Sequence, residues 1–493
     1  MSSITLCKHN ESFIRIEAER SILQEISERY TFFAQNYRFM PAYKHGVWDG
    51  KIRLFNLNTC LLPAGLRDDL LKFATDNNYT IIGNERFIHE SISTDDINEF
   101  VSLLKIPYEL RDYQFNSIQR IVIDNRVTLI SPTGSGKSLM IYATALWSLN
   151  KNHRILIVVP TTSLVEQLFN DFKDYSKQNG FDVEANCHKI YSGHDKNTNK
   201  PIIISTWQSI FNLNKSWFEK FQTLIVDEAH LAKAKSLSKI SESCVNCVTR
   251  IGTTGTLDGS QINELMLVGM FGPVYRATTT KQLIDNDTLS KIAVNLIKID
   301  YDKDTSKDFS KLVSSYPEEI QYITSFNKRN QFIAKLALVQ KKNTLLLFNY
   351  VETHGKPLFE LIKAKNKDPN RKIYFISGEI ETAYREEVRN EIENQTNAIL
   401  VASSGTFSTG INIRNLHNII FASPTKSQIR VLQSIGRGLR KHGNDSLLNI
   451  FDIVDDFSCG KKKQNFALKH GIARMKIYMK EQFPIESHAI NFG

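Results

Sequence analysis

The stretch Ser131-Pro132-Thr133-Gly134-Ser135-Gly136-Lys137-Ser138 constrains the fold more than any other part of the chain. An apolar run, Val127 to Ile130, leads into it, and a helical pattern carrying Leu139, Ala143 and Leu146 leads out. Strand, glycine-rich loop and helix, in that order, make a phosphate-binding loop. Gly134 and Gly136 reach backbone conformations that a Cβ disfavours, so successive N–H groups can turn inward at a helix N-terminus. Lys137 then brings a point charge to the β and γ phosphates, and Ser138 a hydroxyl to Mg2+. Thr133 and Ser135 belong to the same nucleotide-binding loop. Where the common form of the loop begins with Gly, this chain has Ser131.

After the loop, short apolar runs alternate with helical patterns: Ile155 to Val159, a helix from Ser163, Ile202 to Ser205, and Thr223 to Asp227. That alternation implies a parallel sheet covered on both faces, with ligands collecting at the carboxyl ends of the strands. Asp227-Glu228-Ala229-His230 follows such an end. In a chain that also has a phosphate loop, Asp227 suits a Mg2+ ligand and Glu228 the residue that positions the attacking water.

A second alternating series follows: Leu345 to Phe348, Ile373 to Ile376, Ile399 to Ala402, Ile419 to Ala422 and Leu448 to Ile453. It has no phosphate loop of its own, which implies that it contributes to the first sheet's ATP site from across a cleft. Gln433, Arg437 and Arg440 fall along one face of a helix, and Gly436 and Gly438 among them point to a close approach. An arginine finger that neutralises transition-state charge is the reading that uses them; solvated surface arginines are the alternative.

A chain of 493 residues suggests about three domains of roughly 150 residues. With 41% hydrophobic and 23% charged residues it reads as globular rather than disordered. No apolar run approaches a membrane span, and the N-terminus lacks a signal segment. The formal net charge of +10 favours a polyanionic partner such as nucleic acid. Six cysteines make no disulfide framework in a chain this long, and the lone Cys244-x-x-Cys247 pair has no second pair with which to hold zinc.

Residues 1 to about 105 carry no nucleotide motif. Asp49-Gly50, between two β-rich runs, signals a hairpin turn. In an extended Lys51 to Leu54, Lys51 and Arg53 share one face and Ile52 and Leu54 the other. With Arg38 nearby, the basic face either meets phosphates or serves as a platform for the motor, and Tyr37, Tyr43 and Trp48 either stack on bases or fill the core. Leu110 to Gln114 forms a short helix before the loop strand, where Gln114 can read adenine by donating and accepting hydrogen bonds. The end of the chain is basic, with Lys461 to Lys463 and then Lys469, Arg474, Lys476 and Lys480 on a helix; the charge is either a solvated face or a phosphate contact.

From about Leu110 to Asp455 the chain resembles the superfamily 2 helicases. Gln114 looks like their Q motif, 131–138 motif I, Pro160-Thr161-Thr162 motif Ia, Thr206-Trp207-Gln208 motif Ib and 227–230 motif II. Thr254-Gly255-Thr256 is similar to motif III, 401–412 to motif V and 433–440 to motif VI. Asn412 and Gly255 depart from the commoner Asp and Ala. The segments Tyr37-Arg38-Phe39 and Trp48-Asp49-Gly50-Lys51, with the Gly436 to Gly443 stretch, extend the resemblance to the UvsW-type helicases of T4-like phages.

The resemblance implies an α/β fold with two RecA-like domains on parallel sheets, at 106–275 and 276–456. A small α+β DNA-binding domain, 1–105, precedes them, and a short basic helical tail, 457–493, follows. It implies catalysis by Lys137, Asp227, Glu228, Gln433, Arg437 and Arg440, with Gly410 at the nucleotide and Thr161, Thr206, Gln208 and Thr406 on the strand. The implied protein is a monomeric, ATP- and Mg2+-dependent helicase in the host cytoplasm, with 3′ to 5′ polarity. Its implied substrates are single-stranded DNA, forks, Holliday junctions, D-loops and RNA–DNA hybrids, and its implied partners single-strand-binding or recombination proteins. Two rivals remain: the motor subunit of a restriction-type nuclease, and an annealing protein in which ATP is only structural.

Overall fold

A computed structural model describes residues 2–34, 36–83, 92–231, 235–257, 260–410, 413, 415–424, 435–436, 447–458 and 464–492. The chain divides into two compact units, one of Met1–Ser131 with Gly136–Ala277, the other of Thr278–Gly493 with Pro132–Ser135.

The first unit begins with a small sheet. Strands β1 (Ser3–Lys8) and β2 (Phe13–Glu17) pair antiparallel, and β3 (Thr31–Phe33) pairs with β4 (Lys51–Arg53) in a separate ribbon. Strands β5 (Leu61–Pro63) and β6 (Thr80–Ile82) flank the sheet in the order β5-β2-β1-β6. Helices Arg20–Arg29 and Arg67–Asp76 close over it, burying Ile4, Leu6, Ile14, Ile16, Ile26 and Leu70. Asp49-Gly50 is not the tip of a hairpin, contrary to the sequence expectation. The segments that pair are β3 and β4, and the chain between them makes a lobe with short helical turns at Tyr37–Phe39 and Pro41–Lys44. Gly50 does take a positive φ, +78°. A Cβ there would fall on the Tyr37 ring.

The second part of this unit is a seven-stranded parallel sheet. Its strands are β7 (Arg126–Ile130), β8 (Ile155–Val159), β9 (Cys187–Ile190), β10 (Ile202–Thr206), β11 (Thr223–Val226), β12 (Thr249–Thr254) and β13 (Val274–Arg276). Their order is β13-β7-β12-β11-β8-β10-β9. Strand β8 shows why an unbroken apolar run was needed. Ile155, Ile157 and Val159 pack in one layer with Met140 and Phe172, while Leu156 and Val158 pack in the other with Phe218 and Phe271. Side chains alternate across a strand, so a sheet covered on both faces leaves it no polar side. Cys244 and Cys247 are buried in that second layer.

The small sheet is fastened to the amino ends of β7 and β12. Arg250, fully buried, donates to the Ser12 hydroxyl and to the carbonyls of Ser241, Cys244 and Cys247. Arg126 pairs with Glu11, and the Glu11 N–H donates to the Val245 carbonyl at 2.9 Å. Burial, and Arg250 beside it, lower the Arg126 guanidinium to about 10. Gly65 abuts helix Gln261–Phe271 so closely that a Cβ would fall on the Val268 carbonyl.

The second unit is another seven-stranded parallel sheet, β16-β17-β15-β18-β19-β14-β20. The strands are β14 (Lys291–Tyr301), β15 (Thr344–Phe348), β16 (Ile373–Ile376), β17 (Ile399–Ser403), β18 (Asn418–Phe421), β19 (Leu447–Asp456) and β20 (Ile485–Phe492). The expected basic helix is Phe466–Lys480, its first turn capped by Glu319, which accepts from the N–H groups of Phe466 and Ala467 at 2.9 and 2.6 Å. Arg474 is not on a solvated face, as its place among the tail cations suggested. It is 1% exposed, 2.7 Å from Asp452 in an ion pair that also accepts the Tyr478 hydroxyl. The chain then continues into β20, the edge strand beside β14. Among the described residues no helix is long and apolar enough to cross a membrane.

Candidate nucleotide and nucleic-acid site

Strand β7 ends at Ile130, the loop follows, and helix Lys137–Asn150 begins with Gly136 as its N-cap. Gly134 and Gly136 have φ of +84° and +83°, the left-handed region that glycine enters without a steric cost. The loop is tied to the sheet, because the Ser131 N–H donates to the Thr254 carbonyl at 2.9 Å. Ser135 closes it with a 2.6 Å hydrogen bond to the Pro132 carbonyl. The Lys137 ammonium donates to the Ser131 carbonyl at 3.1 Å, so its charge stays over the loop. The Ser138 hydroxyl is 2.8 Å from the Tyr175 hydroxyl, and burial pushes that phenol above its ordinary range.

Gln114 sits directly against this loop and is 3% exposed. Its Oε1 accepts from the Arg111 N–H at 3.0 Å, closing the first turn of helix Asp112–Asp124. Its Nε2 occupies the place that a Cβ on Gly136 would take. Gln114 thus braces the loop from behind.

Asp227 and Glu228 follow β11, the second neighbour of β7. Asp227 Oδ1 accepts from the Thr253 hydroxyl at 2.6 Å and from the Glu228 N–H at 2.9 Å. Burial raises its carboxyl pKa, Glu228 adds to the rise, and Lys137 and the two hydrogen bonds oppose it. Glu228 itself holds a left-handed φ of +51°, a costly conformation for a residue with a Cβ and one that collects at functional sites. His230 Nδ1 lies 2.9 Å from the Thr254 hydroxyl and 3.3 Å from the Glu228 carboxylate. The Thr254 hydroxyl donates to the Thr256 carbonyl at 2.9 Å. The DEAH segment is therefore hydrogen-bonded to the end of β12 at two points, Asp227 with Thr253 and His230 with Thr254, the second of these in the Thr254-Gly255-Thr256 segment. Thr253 and Tyr175 were not singled out in the sequence; Thr253 had a signal in its neighbour Thr254, and Tyr175 had none.

Residues expected on nucleic acid lie at the same edge of the sheet, beyond the adjacent strands β8 and β10. Thr161 caps helix Thr162–Tyr175, accepting from the Leu164 N–H at 3.3 Å. Thr206 ends β10, buried, with its hydroxyl 2.9 Å from that of Ser209. Gln208 is exposed and reaches back to the Pro160 carbonyl at 3.4 Å, which joins the two loops. In the second unit Thr406 lies on helix Ser404–Gly410 and accepts the Ser403 hydroxyl at 2.7 Å; Gly410 ends that helix. Gln433, Arg437, Arg440 and Asn412 lie outside the described residues, as do Lys461 to Lys463. On the N-terminal lobe Arg38 and Arg53 are exposed, Arg53 paired with Asp49, while Lys51 is half-buried with its ammonium 5.4 Å over the Phe33 ring. The Lys51 and Arg53 side chains thus have local partners within the lobe.

Sheet order places the phosphate loop, Asp227 and Thr254 behind three neighbouring strands, β7, β12 and β11, and the Thr161 and Gln208 loops behind the next two. Helix N–H groups and Lys137 suit phosphate oxygens. The Ser138 hydroxyl and the Asp227 carboxylate are the hard oxygen donors that Mg2+ takes.

Three family models match. They are "DNA helicase UvsW, N-terminal" over residues 3–83, "Type III restriction enzyme, res subunit" over 107–259, and "Helicase conserved C-terminal domain" over 327–442. The chain is 37% identical to the ATP-dependent DNA helicase uvsW of Enterobacteria phage T4, over 98% of each protein. It belongs to the UvsW family of superfamily 2 helicases. The crystal structure of T4 UvsW matches 99% of both chains at 35% identity with a TM-score of 0.52. A type ISP restriction-modification enzyme bound to DNA, LlaBIII, shares the fold over 79% of this chain and 32% of its own, at 17% identity and a TM-score of 0.59. The DNA 3′-5′ translocase XPB2 of Sulfurisphaera tokodaii is 24% identical over 70% of this chain and 82% of its own. As a UvsW-family member the protein is an ATP-dependent DNA helicase, a hydrolase that uses ATP and acts on DNA.

Proposed function

We propose that this helicase is a motor for branched DNA: forks, Holliday junctions, D-loops, and R-loops with their RNA–DNA hybrid. It acts as a monomer in the host cytoplasm, advances 3′ to 5′, takes Mg2+ with ATP, and meets single-strand-binding or recombination proteins there. The observation that carries the reading is the single sheet edge shared by the phosphate loop, Asp227 and the Thr161 and Gln208 loops, in a unit to which the N-terminal sheet is locked by Arg250. A strand-tracking surface joined to the ATP residues suits translocation. An additional basic lobe fixed to it suits a duplex arm as well. The Sulfurisphaera tokodaii relative, a DNA 3′-5′ translocase, supports the polarity.

In this reading Lys137 and the N–H groups of 133–138 hold the phosphates, with Gln114 bracing them. Glu228 positions the attacking water. Ser138 and Asp227 would hold Mg2+, which neutralises charge on the β and γ oxygens when bound. Gln433, Arg437 and Arg440 serve the transition state, and Gly410 the nucleotide. Thr161, Thr206, Gln208 and Thr406 follow the strand backbone. The Asp227–Thr253 and His230–Thr254 hydrogen bonds give hydrolysis a route to β12 and so to the loops beside it.

Strand displacement on blunt duplex, 3′-tailed and 5′-tailed duplexes, forks, Holliday junctions and R-loops tests the reading. Forks, junctions and R-loops should be opened faster than blunt duplex, and the 3′-tailed substrate faster than the 5′-tailed one. Equal rates on all of them would refute the branched-substrate role, and preference for the 5′ tail would refute the polarity. A supercoiled plasmid should stay intact, which separates this motor from that of a restriction nuclease.

A further inference from the structure

The first turn of the phosphate-loop helix, Lys137–Asn150, is met by the last residue of another helix, Thr162–Tyr175. The Tyr175 hydroxyl lies 2.8 Å from the Ser138 hydroxyl, and among the described residues it is that serine's one side-chain partner. The phenol ring is held on two sides. Tyr142, one turn beyond Ser138 on the same helix, packs with its ring centre 5.6 Å away, and Tyr108 meets Tyr175 edge-on at 6.2 Å. Tyr108 is itself tied to Asp174, the residue before Tyr175. These ring contacts need no oxygen, so a phenylalanine would fill the same space. A hydroxyl taken out of water costs free energy unless it is hydrogen-bonded, and the partner that Tyr175 meets is Ser138.

That serine is the residue read above as a Mg2+ ligand. A serine hydroxyl has one hydrogen and two lone pairs, so it can donate to Tyr175 or accept from it and still offer a lone pair to a cation. Its side chain has three staggered positions, and a fixed partner selects among them. Burial, with Asp171 adding to it, holds the phenol above its ordinary range, so Tyr175 stays an O–H at neutral pH and brings no charge of its own. Residues that ligate metals are commonly oriented by such an outer partner, and losing the partner costs about 10- to 100-fold in metal affinity or activity. We propose that Tyr175 is a positioning residue for the Mg2+ of ATP, fixing the direction in which Ser138 presents its oxygen. The proposal rests on the reading of Ser138 as a Mg2+ ligand.

The test is titration of the full chain with a fluorescent, non-hydrolysable ATP analogue, once in Mg2+ and once in EDTA, for the wild type, Tyr175→Phe, Ser138→Ala and the double variant. The quantity read is the gain in affinity that Mg2+ brings. In Tyr175→Phe that gain should fall about tenfold or more, while affinity in EDTA stays at the wild-type value, because Lys137 and the N–H groups of the loop are untouched. Ser138→Ala should lose at least as much of the gain. The double variant should lose no more than Ser138→Ala alone, because Tyr175 works through that serine. A hydroxyl that serves only the packing of its helix would lower the thermal midpoint of Tyr175→Phe and leave the gain intact, and that result would overturn the proposal. So would a double variant that falls about a further tenfold below Ser138→Ala. A Ser138→Ala variant that keeps the full gain would overturn the Mg2+ reading of Ser138, and this inference with it; a gain lost in Ser138→Ala yet whole in Tyr175→Phe overturns the inference alone.

Discussion

Gln114 and Gly136 show how much one contact fixes at the scale of single residues. The glutamine amide fills the space a Cβ would need, and the glycine φ lies where a Cβ is strained. Gly136→Ala should therefore displace Gln114 and weaken ATP binding by about tenfold or more, given that such backbone strain costs roughly 1–3 kcal/mol; titration with a fluorescent nucleotide reads this, and an unchanged Kd would contradict the bracing role. His354 offers a pH test in the second unit. Its Nδ1 meets the Ser423 hydroxyl at 2.9 Å, and burial, with Arg329 nearby, lowers it from 6.5 to about 3. Unfolded chains take up a proton below pH 6.5 that the folded unit refuses, so stability is full above that value. It then falls toward pH 3 by up to about 1.4 kcal/mol per pH unit. In His354→Gln that acid-side loss should shrink in urea titrations across pH 4–7, and an identical pH profile would remove His354 as its source. Lys137, Asp227 and Glu228 were legible in the sequence because each lies in a contiguous motif. Tyr175, 37 residues beyond Ser138, was not, since only the folded helix brings the two hydroxyls together.

Strands buried on both faces were legible as elements almost residue for residue: Ile155–Val159 and, to within one residue, Ile399–Ser403 are apolar runs in the sequence and strands in the fold. Strands β14 and β20 were not, because Lys291–Tyr301 and Ile485–Phe492 interleave polar residues with apolar ones, and β20, an edge strand, leaves most of its side chains in water. The Asp49-Gly50 turn signal was real in its backbone and misleading in its pairing, since register is set by which strand lies opposite, not by the turn alone. The terminal helix carries the same lesson for charge. Arg474 reads as one more basic residue, yet it is the buried counterion of Asp452. Arg474→Met should leave that carboxylate unpaired in the core and lower stability by about 3–5 kcal/mol, read as a shift in the urea midpoint of the second unit. A shift below about 1 kcal/mol would mean that Asp452 finds another partner.

Over the whole molecule, positive charge, a phosphate loop and a fixed N-terminal sheet converge on one account: ATP turnover at the carboxyl edge of the first parallel sheet drives work on DNA. The N-terminal sheet is bound at the opposite edge by Arg250 and Arg126, so it travels with that unit. The most direct test is ATP turnover by the full chain with and without forked DNA, run beside Lys137→Ala. The account predicts that DNA accelerates wild-type turnover, and that Lys137→Ala stays folded and turns over no ATP under either condition. Wild-type turnover indifferent to DNA, or a folded Lys137→Ala hydrolysing ATP at the wild-type rate, would contradict it.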